Sequence, residues 1–187
     1  AARELDRLSI SDQEVFDARE SLEEFIDQST AAVVVHEAVH MILHARGIMP
    51  ANSAVPLWMA EGVAASFEPL EPSRAFGPFL NACGRTRAFR EHLLNGNVPP
   101  LKVIVGSTVL PAGDEEMVRT FYDASASLCA WLVREEPEAF AKLIRAVTSG
   151  EMGGNPMARI RLFEQMVGKM ESIEKRWHGA ERARRGI

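Results

Sequence analysis

Between residues 36 and 40 the chain reads His36-Glu37-Ala38-Val39-His40, two histidines four apart with a glutamate after the first. On a helix, residues four apart share one face, with Cβ atoms about 5–6 Å apart, so two imidazole nitrogens can reach one metal ion. Glu37 points about 100° round from His36, beside such an ion rather than onto it. That placement suits a general base for a metal-activated water. The plainer alternative is a pair of core histidines hydrogen-bonded to backbone. The segment around them is apolar, however, and burying two imidazoles and a carboxylate without partners costs several kcal/mol.

The third ligand decides the class of site. A HExxHxxGxxH zinc site needs glycine and histidine at positions that here hold Leu43 and Arg46, which excludes it. His44 lies about 12 Å along the helix axis from His36, too far to share its metal, and reads as a helix-end histidine. Downstream stands Pro56-Leu57-Trp58-Met59-Ala60-Glu61-Gly62-Val63-Ala64. A chain that leaves His40, turns after Gly47 and returns along an antiparallel helix brings Glu61 back to the level of His40. Small residues Ala60, Gly62, Ala64 and Ala65 permit a close approach of the two helices. His36, His40 and Glu61 with one open position form a known catalytic Zn2+ arrangement.

These two segments resemble the gluzincin pattern HExxH…P-x-W-[LM]-x-E-G-[LV]-A of the peptidase MA-like superfamily, and in particular a small bacterial branch long catalogued as a domain of unknown function. The likeness lies mainly in residues 30–70. Phe121-Tyr122-Asp123-Ala124-Ser125-Ala126-Ser127-Leu128 and Glu174-Lys175-Arg176-Trp177 are more weakly similar to later segments of that branch. The resemblance implies a zinc metallopeptidase acting on a peptide or protein substrate, with Glu37 as the base. It also implies an exported or cell-envelope setting in a bacterium. Members often use a tyrosine or histidine to donate to the oxyanion, and Tyr122, the sole tyrosine, is the candidate here; the alternative is a half-buried core tyrosine. Two departures stand out. The acidic residue that thermolysin-type members carry four after the ligand glutamate is Ala65 here, which leaves Glu68 as a candidate by position, or as a solvated helix-end residue. The superfamily also places a β-sheet before the HExxH helix, whereas the 35 residues before His36 look helical.

The elements that must position these residues are helical. Ser11-Asp12-Gln13-Glu14 resembles a capping box opening a helix to about Asp27, and Ser29 or Thr30 then caps a second from Ala31 to Arg46. The second is apolar almost all round, which predicts a central, buried position. A third runs from Pro56 to about Glu68. Further helices are expected at about 85–94, 115–134, 137–148, 156–167 and 170–182, with a short strand or extended stretch over the β-branched run 101–109. The fold class is mainly α: a compact helical domain around a buried HExxH helix and an antiparallel glutamate helix, with at most a small β element. Trp58, Phe67, Trp131 and Trp177 read as core, and the methionines as gap fillers. His92 and His178 fall in polar stretches expected to be exposed.

The 187 residues, 47% of them apolar, suit a single domain over 1–187, with the alternative that an upstream region completes it. A net charge of −5 with basic residues clustered only at Arg182, Arg184 and Arg185 gives no footprint for nucleic acid. No apolar run reaches membrane-spanning length. Cys83 and Cys129 exclude a disulfide-dense scaffold and could pair or remain buried thiols. The start at Ala1 without a signal peptide implies a processed, truncated or cloned chain. Oligomeric state and compartment are not legible. Besides a peptidase, the residues admit a non-catalytic zinc-binding or interaction domain that keeps the gluzincin-like site, or a helical scaffold with no metal.

Overall fold

A computed structural model describes residues 12–50, 55–70, 77–78, 83–113 and 115–184. It contains eight α-helices and, among the described residues, no strand: α1 Asp12–Ala45, α2 Leu57–Ala65, α3 Gly84–Asn95, α4 Leu101–Gly106, α5 Glu115–Glu135, α6 Pro137–Thr148, α7 Pro156–Met166 and α8 Met170–Ala183. The mainly α class expected from periodicity is the class observed.

Two expected elements differ. The helices read as separate are one 34-residue helix, α1. Ser29 and Thr30 cost only a few tenths of a kcal/mol inside a helix, less than the orphaned backbone groups that an interruption would create. The expected capping box includes Ser11, which lies outside the described residues. Residues 101–106 form α4 rather than a strand, and 107–109 carry no regular structure, with Ser107 extended. There Pro100 presets the first turn, Glu174 Oε1 accepts from the Leu101 N–H at 2.7 Å, and Leu101, Ile104 and Val105 are buried. Packing overrides the β-propensity of three branched residues.

The centre of the molecule is α5, buried from Thr120 to Leu132 except at Tyr122. Trp58, Trp131 and Trp177 are fully enclosed core residues, as their sequence contexts suggest, while Phe67 is partly buried beside Val35, Val39 and Ala64. The Trp177 indole stacks on Phe89 and donates to Ser127 Oγ at 3.1 Å. Glu181, wholly buried on α8, accepts from Arg90 of α3 at 3.0 Å and Arg134 of α5 at 2.8 Å, so that its charge is paired where desolvation would otherwise be costly. Both cysteines are free and buried. Cys83 donates to the Ala65 carbonyl at 3.1 Å, and burial pushes its thiol up to about 11.

The HExxH helix does not occupy the centre. Val35, His36 and Val39 are buried along one stripe, but Val33, Val34 and Met41 are 62%, 60% and 71% exposed. Helix α1 packs mainly on α2. It ends as expected at Gly47, whose φ of +66° suits glycine, with Ile48 N–H donating to the Leu43 carbonyl. The contacts of α2 fit an antiparallel return: His40 meets Glu61, and the earlier His36 meets both Glu61 and the later Glu68.

Candidate metal centre

Three electron-rich atoms converge between α1 and α2. His36 Nε2 lies 3.1 Å from His40 Nε2 and 3.1 Å from Glu61 Oε2, and His40 Nε2 lies 3.6 Å from the same oxygen. Tetrahedral zinc with bonds of about 2.0–2.1 Å separates its ligand atoms by about 3.3 Å, so the three fit one coordination sphere with a vertex to spare. Among the described residues, this is the one group of three His, Cys, Asp or Glu side chains that could hold a metal ion.

Gly62 explains how α2 comes so close to the centre of the fold. A Cβ there would lie 2.4 Å from the Ser125 carbonyl oxygen and 2.7 Å from Cys129 Sγ. The glycine after Glu61 is therefore demanded by the contact with α5, and it sets the depth at which Glu61 meets the histidines.

Glu68 is not a solvated helix-end residue. Its Oε1 lies 2.9 Å from His36 Nδ1, and its Oε2 accepts from Arg85 Nε at 2.9 Å. A carboxylate only accepts, so Nδ1–H is the donor and Nε2 is the atom turned toward His40 and Glu61. The role missing at Ala65 is thus filled seven residues after Glu61 instead of four. Arg85 continues the chain to buried Asp123 at 3.3 Å, and Asp123 accepts from His92 Nε2 at 3.2 Å. His92, like His178, is partly buried rather than exposed. Charges alternate from Asp123 through Arg85 and Glu68 to His36, each paired with its neighbour. The sequence pattern does not connect Arg85, Asp123 or His92 to the site. The one available signal was an aspartate in the small-residue run after Tyr122, since a carboxylate there needs a partner.

The titration properties follow from this packing. Burial pulls the His36 imidazole down, but hydrogen bonds and the fields of Glu61 and Glu68 more than offset it and lift it from 6.5 to about 9. Burial raises the Glu61 carboxyl, yet the two histidines hold it at about 2. Glu68 also lies below the ordinary carboxylate range, because His36 and Arg85 outweigh its burial.

A cleft of about 360 Å³ opens beside these residues, lined among others by Val33, His36, Glu37, Glu68, Arg85 and Tyr122. Glu37 is exposed along this wall. Tyr122 is half-buried: its ring centroid is 6.1 Å from that of His36, edge to face, and the Arg85 guanidinium sits 5.5 Å from its centre. Burial and then the Glu61 carboxylate raise its phenol above the ordinary value. His36, Glu37, His40, Glu61 and Tyr122 thus meet in one place. His44 remains exposed on the far turn of α1.

The chain belongs to the family described as protein of unknown function (DUF1570), whose model matches residues 30–151. That span holds the three converging ligand atoms, Glu68, Arg85 and Tyr122. No curated protein and no solved structure matches the chain. Among the described residues, no helix is long and apolar enough to cross a membrane.

Proposed function

We propose that the protein is a zinc-dependent peptidase of gluzincin type, with His36, His40 and Glu61 as ligands. The observation that carries this reading is the spacing of 3.1, 3.1 and 3.6 Å among three ligand atoms, with exposed Glu37 on the cleft wall beside them. When bound there, zinc supplies a Lewis acid that acidifies a coordinated water and polarises a carbonyl. Glu37 takes a proton from the attacking water and returns it to the leaving amine, so one water and one peptide bond become a carboxylate and an amine. Glu68 fixes the His36 tautomer, and Arg85 fixes Glu68. The Tyr122 hydroxyl is the available donor for the oxyanion that forms on the carbonyl. Its phenol, which burial and the Glu61 carboxylate push further above an ordinary value already well beyond neutral pH, carries the proton that such a donor needs.

A second reading, a zinc-binding or interaction domain without catalysis, draws support from the lack of any strand among the described residues that could pair with a substrate backbone. Glu37 separates the two. With zinc bound, the wild type is expected to cleave members of a mixed peptide library, and Glu37→Gln to bind the metal normally while losing nearly all cleavage. Full activity in Glu37→Gln would sink the mechanism. No cleavage by the zinc-loaded wild type would favour the non-catalytic domain.

A further inference from the structure

Asp123 follows Tyr122 in the buried run of α5 and is itself only 1% exposed, among the small buried residues Ala124, Ser125 and Ala126. Each of its carboxylate oxygens takes one partner, and both partners come from α3. Oδ1 accepts from Arg85 Nη1 at 3.3 Å and Oδ2 from His92 Nε2 at 3.2 Å. Arg85 and His92 are seven positions apart, about two turns along one face of α3, and Asp123 bridges them. Phe89 and Leu93 of α3 share a continuous apolar core with Phe121 and Leu128 of α5, so the two helices are held without this charge. Replacing a buried ion pair by uncharged residues is often neutral or stabilising. Burial lifts the Asp123 carboxyl above its ordinary value, against the pull of Arg85 and His92. The fold alone gives no reason for an acid at this position.

We propose that Asp123 is a positioning residue for the site: it anchors Arg85, and through Arg85 it holds both the Glu68 carboxylate that orients His36 and the wall of the cleft beside Tyr122, with His92 fixing Asp123 in turn. The inference rests on the peptidase reading and extends it to two residues that touch neither metal nor substrate. Three observations carry it. Arg85 divides its N–H groups between two carboxylates: Nε and Nη2 face Glu68 at 2.9 and 3.5 Å, and Nη1 faces Asp123. Bonds in two directions fix the guanidinium plane, whereas Glu68 alone leaves it free to turn. That plane lies 5.5 Å from the centre of the Tyr122 ring and lines the cleft with Glu37, and the oxygen that accepts from His36 Nδ1 belongs to the same Glu68 carboxylate. Tyr122 and Asp123 are also consecutive on α5, so the hold of α3 on Asp123 sets the rotation of the turn that brings the phenol to the cleft.

The test uses the full chain with Zn2+, and with Co2+, whose visible absorption reports ligand geometry. Asp123→Asn keeps the size of the side chain and one acceptor, so the metal-free variant should unfold in urea at a midpoint no lower than wild type. Its zinc affinity, from chelator competition, should fall about three- to tenfold, less than the about 10–100-fold of a direct partner of a ligating histidine, and the Co2+ absorption should shift. In a Glu68→Ala background, where the link to His36 is already cut, Asp123→Asn should change neither. His92→Ala should weaken zinc in the same way, and His92→Gln, which offers an N–H near the Nε2 position, should restore it. Wild-type affinity in both Asp123→Asn and His92→Ala overturns the inference. So does an equal loss in the Glu68→Ala background, which would assign the effect to the Asp123 charge acting across space on the ion. A urea midpoint that falls along with the affinity overturns it too, and would assign Asp123 to the packing of α3 on α5. The expected zinc effects in a chain that cleaves no peptide would defeat the peptidase reading alone, whereas ordinary cleavage with no zinc effect would defeat this inference alone.

Discussion

Glu68 gives the sharpest handle on the site, because it touches no metal yet sets the His36 ring. Glu68→Ala removes the acceptor 2.9 Å from His36 Nδ1, together with a negative charge, and leaves Arg85 beside the imidazole with Asp123 as its remaining partner. Outer-shell partners of ligating histidines typically contribute about 10–100-fold in metal affinity, or about 1.4–2.7 kcal/mol. Loss of both the orienting bond and the charge puts Glu68→Ala near the upper end. Glu68→Gln keeps an oxygen that can accept from Nδ1–H and loses only the charge, so it belongs near the lower end. The assay is competition with a chromophoric zinc chelator at fixed pH, with far-UV circular dichroism to verify folding. Glu91→Ala, which touches only the exposed pair with Arg87, is the control and should bind like wild type. Wild-type affinity in both Glu68 variants would refute the claim that Glu68 holds the ligand in place.

Three further outcomes are expected. A ligating nitrogen must lose its proton, and His36 holds one up to about 9 in the metal-free chain, so zinc affinity should rise with pH and level off near that value. In the same metal-free chain, the raised His36 stabilises the fold fully below 6.5, and that contribution fades as pH rises through about 9; the depressed Glu61 stabilises it above 4.5, and that contribution fades as pH falls through about 2. Calorimetric titrations from pH 6 to 9.5, in buffers of different ionisation heat, would count the released proton; an affinity flat across this range would contradict the assignment. Gly62→Ala should destabilise the fold by at least about 1–3 kcal/mol in urea denaturation, because its Cβ meets backbone oxygen and sulfur well inside contact distance. An unchanged midpoint would mean that the contact between α2 and α5 is not fixed.

The site is legible in the sequence where chemistry imposes spacing. Histidines four apart announce a shared helix face, and a glutamate among small residues announces a close return, so the residue pattern alone groups His36, His40 and Glu61. Tyr122 is nominated only through the resemblance of its segment, and it is the fold that brings its ring to 6.1 Å from that of His36. Helix ends with strong punctuation, such as Gly47 and Pro137, are readable to the residue. What escapes is set by tertiary contact. Arg85 lies far along the chain from Glu68, and nothing in its local sequence marks it as the residue that anchors this carboxylate. Composition likewise does not reveal that α1 buries one stripe and exposes Val33, Val34 and Met41, since an all-apolar helix reads the same whether the protein or a ligand covers it. The run 101–109 misleads because β-branched residues also suit a short buried helix once Pro100 and Glu174 fix its first turn.

Elemental analysis of the purified protein, beside His36→Ala and Glu61→Ala, tests the central claim most directly. The expected result is about one zinc per chain in the wild type and loss of bound zinc in both variants, with all three folded. A wild type that takes up no zinc even on reconstitution, or variants that keep it, would contradict the metal centre and leave His36, His40 and Glu61 as a hydrogen-bonded cluster in a helical scaffold.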